Sequence, residues 1–460
     1  MAFYRRPTGR LIRILSHQFK CKMSKIPAIG IVSLGCAKNL VDSERLTSAL
    51  IARGYRMEAD YAACDAVIVN TCGFINQAVE ESLEAIGEAL EHNSHIIVMG
   101  CLGAKPETIK QAYPQVAAVF GPGRRAAVLR EIAALVGTPP QEAVQHLPAS
   151  GVLLTPPHYA YLKIAEGCRH HCTFCIIPKL RGPLRSRRPE DIMREATALK
   201  AQRVRELLII AQDSSDYGID LEPKVPTSAL LRELATLKLW LRVHYVYPAP
   251  EAERIVELMA EGLVLPYLDV PLQHAAPSVL KRMKRPGSFD KSLQLIEKWR
   301  NICPDIALRS TFITGFPGET QAEFDELLDF IQEAKLDRVG CFPYSDVDGA
   351  EANNLPGAVP PEVREERAMQ LMQLQSEISR AKLQQRIGTT CDVIIDAVSE
   401  DGQAFGRSKY EAPDVDGIIT IENGASLRAG DIVPVTITGA DEHDLTATLA
   451  PQEINFKLKG

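Results

Sequence analysis

The chain has 460 residues, 46% hydrophobic and 24% charged, with a formal net charge of -6. That length predicts about three domains, and the overall charge gives no support for polyanion binding by the chain as a whole. No apolar run approaches the roughly 18 residues of a membrane span. Eleven cysteines in a chain this long do not make a secreted disulfide scaffold. The expectation is a cytoplasmic protein, not associated with membranes, whose clustered cysteines serve metal or redox chemistry.

Residues 1–25 carry Arg5, Arg6, Arg10, Arg13, Lys20, Lys22 and Lys25 and no acid. A basic, acid-poor targeting stretch would look so. The preferred reading is a disordered extension, or an upstream start with Met23 as initiator. From 26 to 148, apolar runs at 28–34, 66–70 and 95–99 alternate with helical periodicity at 42–52, 75–91 and 126–135. Continuous apolar runs are typical of strands covered on both faces of a parallel sheet, so a doubly wound α/β domain is expected.

Residues 149–385 hold a second alternating series. Candidate strands are 161–165, 206–211, 243–247, 267–270, 308–314 and 338–342, with helices such as 189–202 and 321–334 between them. Six β/α units predict a (β/α)6-type partial barrel. A charged helical segment, 361–386, is expected to end at Gly388 as C-cap. Short β-rich stretches from 386 to 455 predict a small all-β module of about five strands.

Cys168, Cys172 and Cys175 form C-x3-C-x2-C directly after the first barrel strand. Three thiolates this close can hold three irons of a 4Fe–4S cube, leaving the fourth iron without a protein ligand. An open coordination site is what catalytic metal centres keep. Phe174 would sit beside whatever binds that iron, and its face suits an adenine ring. The competing reading is a zinc loop with His170 or His171 as fourth ligand, but zinc motifs favour paired C-x2-C halves.

Gln212 and Asp213 close the second barrel strand, and Gly315 to Glu319 follow the fifth. Barrel active sites lie at such strand ends. Polar side chains there would bond ribose hydroxyls, and glycines admit close backbone approach. Arg181, Arg185, Arg187 and Arg188 follow the cysteine loop, and any one of them would suit a carboxylate, which guanidinium meets bidentately.

Cys36, Cys72 and Cys101 form no local motif, yet each comes about two residues after a predicted strand of the first domain. Loops at the carboxyl edge of a doubly wound sheet converge on one crevice, so three thiolates are expected to meet there. The alternative is ordinary buried cysteines, the reading given to Cys64, Cys303, Cys341 and Cys391.

Glu166-Gly167-Cys168 through Cys175, with Phe174, resembles the radical S-adenosylmethionine (SAM) superfamily. In that family SAM chelates the open iron, and its reductive cleavage yields a 5′-deoxyadenosyl radical that abstracts hydrogen. The resemblance implies Phe174, Gln212, Asp213, Gly315 and Glu319 as SAM-pocket residues. The Cys36/Cys72/Cys101 arrangement resembles the amino-terminal domain of the methylthiotransferases, where it holds an auxiliary 4Fe–4S cluster that carries the sulfur to be transferred. The implied cofactors are therefore two 4Fe–4S clusters and SAM, with a flavodoxin-type protein as reductant. The three-part layout is similar to that family over nearly the whole chain, the last part resembling a TRAM domain.

One branch of the family modifies an adenosine of transfer RNA. The other, the RimO type, modifies the β-carbon of an aspartate on protein twelve of the small ribosomal subunit. The phrases running from Ser33 to Glu44, Ala211-Gln212-Asp213 and from Tyr267 to His274 resemble the ribosomal-protein branch, with Ala37 where proline is expected. From Cys391 to Ala450 there are twelve acids against three bases. Such a surface repels phosphate and suits a basic protein partner, so nucleic acid is not expected as direct substrate. A non-catalytic iron–sulfur carrier would need a fourth cysteine at each cluster, and a pure binding module would hold zinc.

Overall fold

In the computed structural model, residues 26–451 are described; the expectation for residues 1–25, and the last four positions of the 386–455 module, lie outside them. The amino-terminal part runs β1 (Ala28–Ser33), α1 (Ala37–Ala52), β2 (Arg56–Met57), β3 (Ala66–Thr71), α2 (Asn76–His92), β4 (Ile96–Gly100), α3 (Pro106–Ala112), β5 (Ala118–Val119) and α4 (Arg125–Val136). Its five strands are all parallel, in the order β2-β1-β3-β4-β5. Every residue of β3 and β4 is buried, because helices cover both faces of the sheet: Leu46, Leu50 and Ile132 pack on one, Ile86 and Ile109 on the other. That two-sided burial is why these strands read as unbroken apolar runs.

The middle part runs β6 (Tyr159–Lys163), β7 (Ala165–Glu166), α5 (Ile177–Arg181), β8 (Arg185–Ser186), α6 (Pro189–Ala201), β9 (Glu206–Ile210), α7 (Thr227–Ala235), β10 (Trp240–Val243), α8 (Pro250–Ala260), β11 (Tyr267–Asp269), α9 (Pro277–Arg282), α10 (Phe289–Ile302), β12 (Ala307–Thr314), α11 (Gln321–Ala334), β13 (Arg338–Pro343) and α12 (Pro361–Gln384). Strands β6, β9, β10, β11, β12 and β13 form one open parallel sheet in sequential order, the expected partial barrel. The third strand lies earlier than the expected 243–247. Trp240–Val243 pairs with β9, and Tyr245 takes a left-handed backbone (φ 60) that no strand accommodates. Ala165 and Glu166 leave the first strand to form a separate ribbon with β8.

Helix α12 stops at Gln384 rather than at a Gly388 cap. Gly388 instead donates its N–H to Ile437 O at 2.8 Å as the chain enters the last module. There β14 (Thr390–Val398), β15 (Ala404–Arg407), β16 (Ile419–Ile421), β17 (Ile432–Ala440) and β18 (Leu445–Leu449) close into a barrel. The module seats against the amino-terminal ends of the parallel strands. Glu206 at the start of β9 binds Arg242 at 2.8 Å and Arg407 at 2.7 Å, and Tyr267 at the start of β11 donates to Asp416 at 2.6 Å.

This docking corrects the charge argument. Asp396, Glu411 and Asp416 are turned inward against Arg407, Arg338, Arg386 and Tyr267, and the module lies at the barrel end opposite the cysteine loops. Its acidity is partly interface chemistry. No helix among the described residues is long and apolar enough to cross a membrane.

Candidate active site

Strand order in the first sheet reverses at β1 and β3, and ligand crevices of open parallel sheets form beside such a reversal at the carboxyl ends. Cys36 follows β1, Cys72 follows β3 and Cys101 follows β4, so all three enter that crevice. Gly35 makes the approach possible. At φ +84 it holds a left-handed turn, and a Cβ there would stand 2.9 Å from Cys72 Cβ and 3.0 Å from its Sγ. Cys72 and Cys101 are buried, and Cys36 is exposed at the crevice mouth.

Loss of water around the sulfur at the crevice mouth pushes the Cys36 thiol up, but Lys38, the Asn39 N–H and Arg181 outweigh it and hold the thiol below its ordinary range. Burial pushes Cys72 up, and Cys101 up to about 11.

The second triad leaves the carboxyl end of β6. Its loop is pinned where the Thr173 N–H donates to Met283 O at 3.2 Å and the Cys168 N–H to Gly182 O at 3.2 Å. Burial pushes Cys168 up to about 11 and Cys175 up to about 12. Thiols that hold protons so firmly yield them when a metal takes the sulfur. Phe174 packs against Val279, Met283, Phe316 and Tyr344. Cys101 shares an apolar cluster with Ile176 and Leu180, and Ile176 directly follows Cys175. The loop of the second triad thus meets Cys101 of the first across the junction.

The donor sets suit iron–sulfur clusters better than single ions. Among the described residues, the one set of three or more metal-competent side chains with ligand atoms all within 4.8 Å of one another is His170, Asp213 and Asp216. Sulfurs around one zinc would stand roughly 3.8 Å apart, so both triads are spread too widely for one ion. Nor does a fourth cysteine among the described residues join either: Cys64 precedes β3, at the opposite sheet edge from Cys72, and donates to Asp60 O at 3.2 Å. His170, the zinc candidate, pairs with Asp213 at 2.7 Å and Asp216 at 3.1 Å and stacks on Tyr247 at 4.1 Å. Burial alone would lower His170, but these carboxylates raise it to about 9.

The expected pocket residues divide into two groups. The buried Gln212 carbonyl oxygen has no partner among the described residues, an acceptor left open, while its amide reaches Glu166 at 3.2 Å. Asp213 is fully used, by Ser215 at 2.6 and 2.8 Å and by His170, so it braces the cysteine loop instead of offering oxygens to ribose. Gly315 packs its α-carbon against Arg364. Glu319 accepts from the Gly315 N–H at 3.0 Å, the Phe316 N–H at 3.2 Å and Arg367 at 2.7 Å. Those two shape the turn from behind.

Of the four arginines after the loop, Arg181 and Arg187 are committed to carboxylates: Arg181 to Glu166 and Asp42, Arg187 to Glu195. The guanidinium beside the loop is Arg285, 4.0 Å from Cys172 Sγ and 4.0 Å from the Tyr247 ring centroid.

The residues that sequence reasoning missed lie on α1. Lys38 is buried with its ammonium 3.3 Å from the Tyr245 ring centroid. Asn39 donates to Leu34 O and Thr71 O and accepts from Arg181, and Asp42 pairs with Lys163 and Arg181. Their signal was helical phase: positions 39 and 43 follow Cys36 on one face, and Asn70 bonds both.

Three family models match consecutive stretches: an uncharacterized family designated UPF0004 over residues 28–121, the radical SAM superfamily over 162–331 and the TRAM domain over 387–449. Ribosomal protein uS12 methylthiotransferase RimO of Hydrogenovibrio crunogenus is 52% identical over 94% of this chain and 98% of its own length. The chain belongs to the RimO family of methylthiotransferases. RimO of Proteus mirabilis is equally similar, 52% identical over 93% of this chain and 99% of its own. Among solved structures, the radical SAM methyltransferase TsrM of Kitasatospora setae, determined with cobalamin and a [4Fe-4S] cluster, matches with a TM-score of 0.52 at 17% identity. It covers 70% of this chain and 72% of its own, a likeness of fold. The family thus supplies the radical SAM and TRAM assignments that the strand series and the closed barrel suggested.

Proposed function

We propose that this chain is a radical SAM methylthiotransferase that adds a methylthio group to the β-carbon of an aspartate on ribosomal protein uS12. The observation that supports the reading is the contact of Cys101 with Ile176, the residue after Cys175, in a chain half identical to RimO proteins and with three cysteines in each set among the described residues. Cys168, Cys172 and Cys175 hold the SAM-binding 4Fe–4S cluster, and Cys36, Cys72 and Cys101 the auxiliary one. The chemistry such groups supply when bound is reductive opening of the SAM sulfonium at one and provision of sulfur at the other.

The protein's own part is placement and shielding. Phe174 offers an apolar face to the adenine, and Gln212 offers its open oxygen to a hydroxyl or ammonium donor. Asp213, through His170, keeps the cysteine loop in place, while Gly315 and Glu319 support the turn beneath the pocket. Lys38 sets a positive charge beside Cys36, where the acidic acceptor residue enters. Residues 26–148, 149–385 and 386–455 act as auxiliary-cluster, radical and TRAM units, with a flavodoxin-type reductant and a cytoplasmic location.

Anaerobic incubation of the reconstituted protein with SAM, a reductant and a uS12 peptide tests this. A methylthio mass gain on the aspartate is expected. An unmodified peptide beside methylthiolated transfer RNA would favour the other branch of the family.

A further inference from the structure

A cavity of 1040 Å³ opens between the carboxyl-terminal half of α1, the amino-terminal turns of α4 and the segment 138–151. Its wall carries five guanidiniums, those of Arg45, Arg53, Arg125, Arg130 and Arg187, and one carboxylate, Glu195. Glu195 is already shared by Arg187 at 2.6 Å and Arg45 at 3.4 Å. Arg53 donates only to Ala49 O of its own helix, at 2.9 Å, and Arg125 and Arg130 have no ion pair among the described residues. In a chain of net charge -6, this concentration runs against the whole.

Two further features point into the same space. Arg125 opens α4 and lines the cavity with Ala126, and the N-cap residue Arg124 gives the first turn no side-chain bond. Helix amino termini attract anions. Ser150, also in the wall, buries a hydroxyl that has no hydrogen-bond partner. Burial, and then Arg45 and Arg53, depress the Arg125 guanidinium, as expected of positive charges crowded without a counterion. Helix α1 begins at Cys36 and reaches the cavity with its other end, so Arg53 lies roughly 25 Å along the axis from the crevice.

We propose that this cavity is a docking site for the phosphate groups of RNA, seated there while the crevice holds the acceptor protein. Planar guanidinium forks match phosphate oxygens bidentately, and a protein of the ribosome is surrounded by RNA phosphates. The choice of RNA rests on the uS12 reading; the phosphate chemistry does not.

The test is fluorescence anisotropy of the full-length protein with a labelled short RNA duplex over a salt series, compared with the R53A/R125A/R130A variant. Binding by the wild type should weaken with salt. The variant should bind at least about tenfold more weakly, with a log–log salt slope shallower by about 2. Unchanged iron content, melting temperature and methylthiolation of the isolated uS12 peptide in the variant would show that fold and catalytic site are intact. Equal RNA binding by both proteins, or displacement of RNA by polyglutamate as readily as by pyrophosphate, would overturn the proposal. Pyrophosphate binding without RNA binding would overturn RNA as occupant.

Discussion

The Arg181 guanidinium donates from Nε to Cys101 Sγ at 3.3 Å, while its Nη1 reaches Glu166 Oε1 at 2.7 Å and Asp42 Oδ2 at 3.2 Å. One buried side chain thus ties an auxiliary-site cysteine to the strand end two residues before Cys168. Lys163 closes the ring by binding both Asp42 and Glu166. Burial would raise the Glu166 carboxyl, but Lys163 and Arg181 pull it down to about 2.

Removing Arg181 should therefore act on both triads. Arg181→Met leaves two half-buried carboxylates sharing Lys163, at a cost of about 3 kcal/mol, to be read by urea denaturation of the full chain. Arg181→Lys keeps charge but loses the fork. Its auxiliary cluster, freed of a charge-assisted hydrogen bond to sulfur, should show a more negative potential by potentiometric EPR. An unchanged potential would mean that the contact is packing alone.

Stability should depend on pH through Glu44. This buried carboxyl accepts from the Leu154 N–H at 2.8 Å, and burial, beyond what its hydrogen bonds recover, pushes it up to about 7. A carboxyl whose folded value is raised contributes stability that is complete below its unfolded value near 4.5 and is lost as pH rises through about 7. Wild-type stability should fall by on the order of 3 kcal/mol between pH 5 and 8 at this group, and Glu44→Gln should flatten the profile. Identical pH profiles would refute this.

Gly315→Ala should weaken SAM binding without touching a ligand. The new Cβ would stand 2.3 Å from Arg364 Cγ and 3.0 Å from its backbone, at φ +67. Backbone strain alone costs about 1–3 kcal/mol. The expected result is a lower melting temperature and a raised Kd for SAM by calorimetry, with iron content retained.

The TRAM interface should behave as one buried charge cluster. Glu206 is wholly buried between Arg242 and Arg407; burial opposes its ionisation, but the two guanidiniums hold its carboxyl below the usual range. Glu206→Ala should cost on the order of 3–5 kcal/mol by leaving the buried Arg242 without a carboxylate and Arg407 with Asp396 alone. Limited proteolysis should then release the carboxyl-terminal barrel first.

The sheets and the cysteines were legible because both depend on short-range signals. Unbroken apolar runs mark β1, β3 and β4, and a cysteine one to three residues beyond each strand lands at one edge whatever the side chains around it do. Roles that depend on tertiary contact were not legible. Nothing local separates Arg181, which bonds a cysteine, from Arg187, which faces a different cavity, or tells that Glu319 turns back to cap its own loop. Three of the acidic residues of the last module have roles hidden from the sequence for the same reason. Asp396, Glu411 and Asp416 count as surface charge in a sequence and as ion-pair partners once the barrel end is docked on them.

Iron and sulfide analysis with EPR, on anaerobically reconstituted protein lacking one triad or the other, tests the central claim most directly. The C168A/C172A/C175A and C36A/C72A/C101A proteins should each keep about four irons, with SAM altering the spectrum of the second alone. Loss of all iron from either variant, or a spectrum indifferent to SAM in both, would contradict two independent three-cysteine sites meeting at this junction.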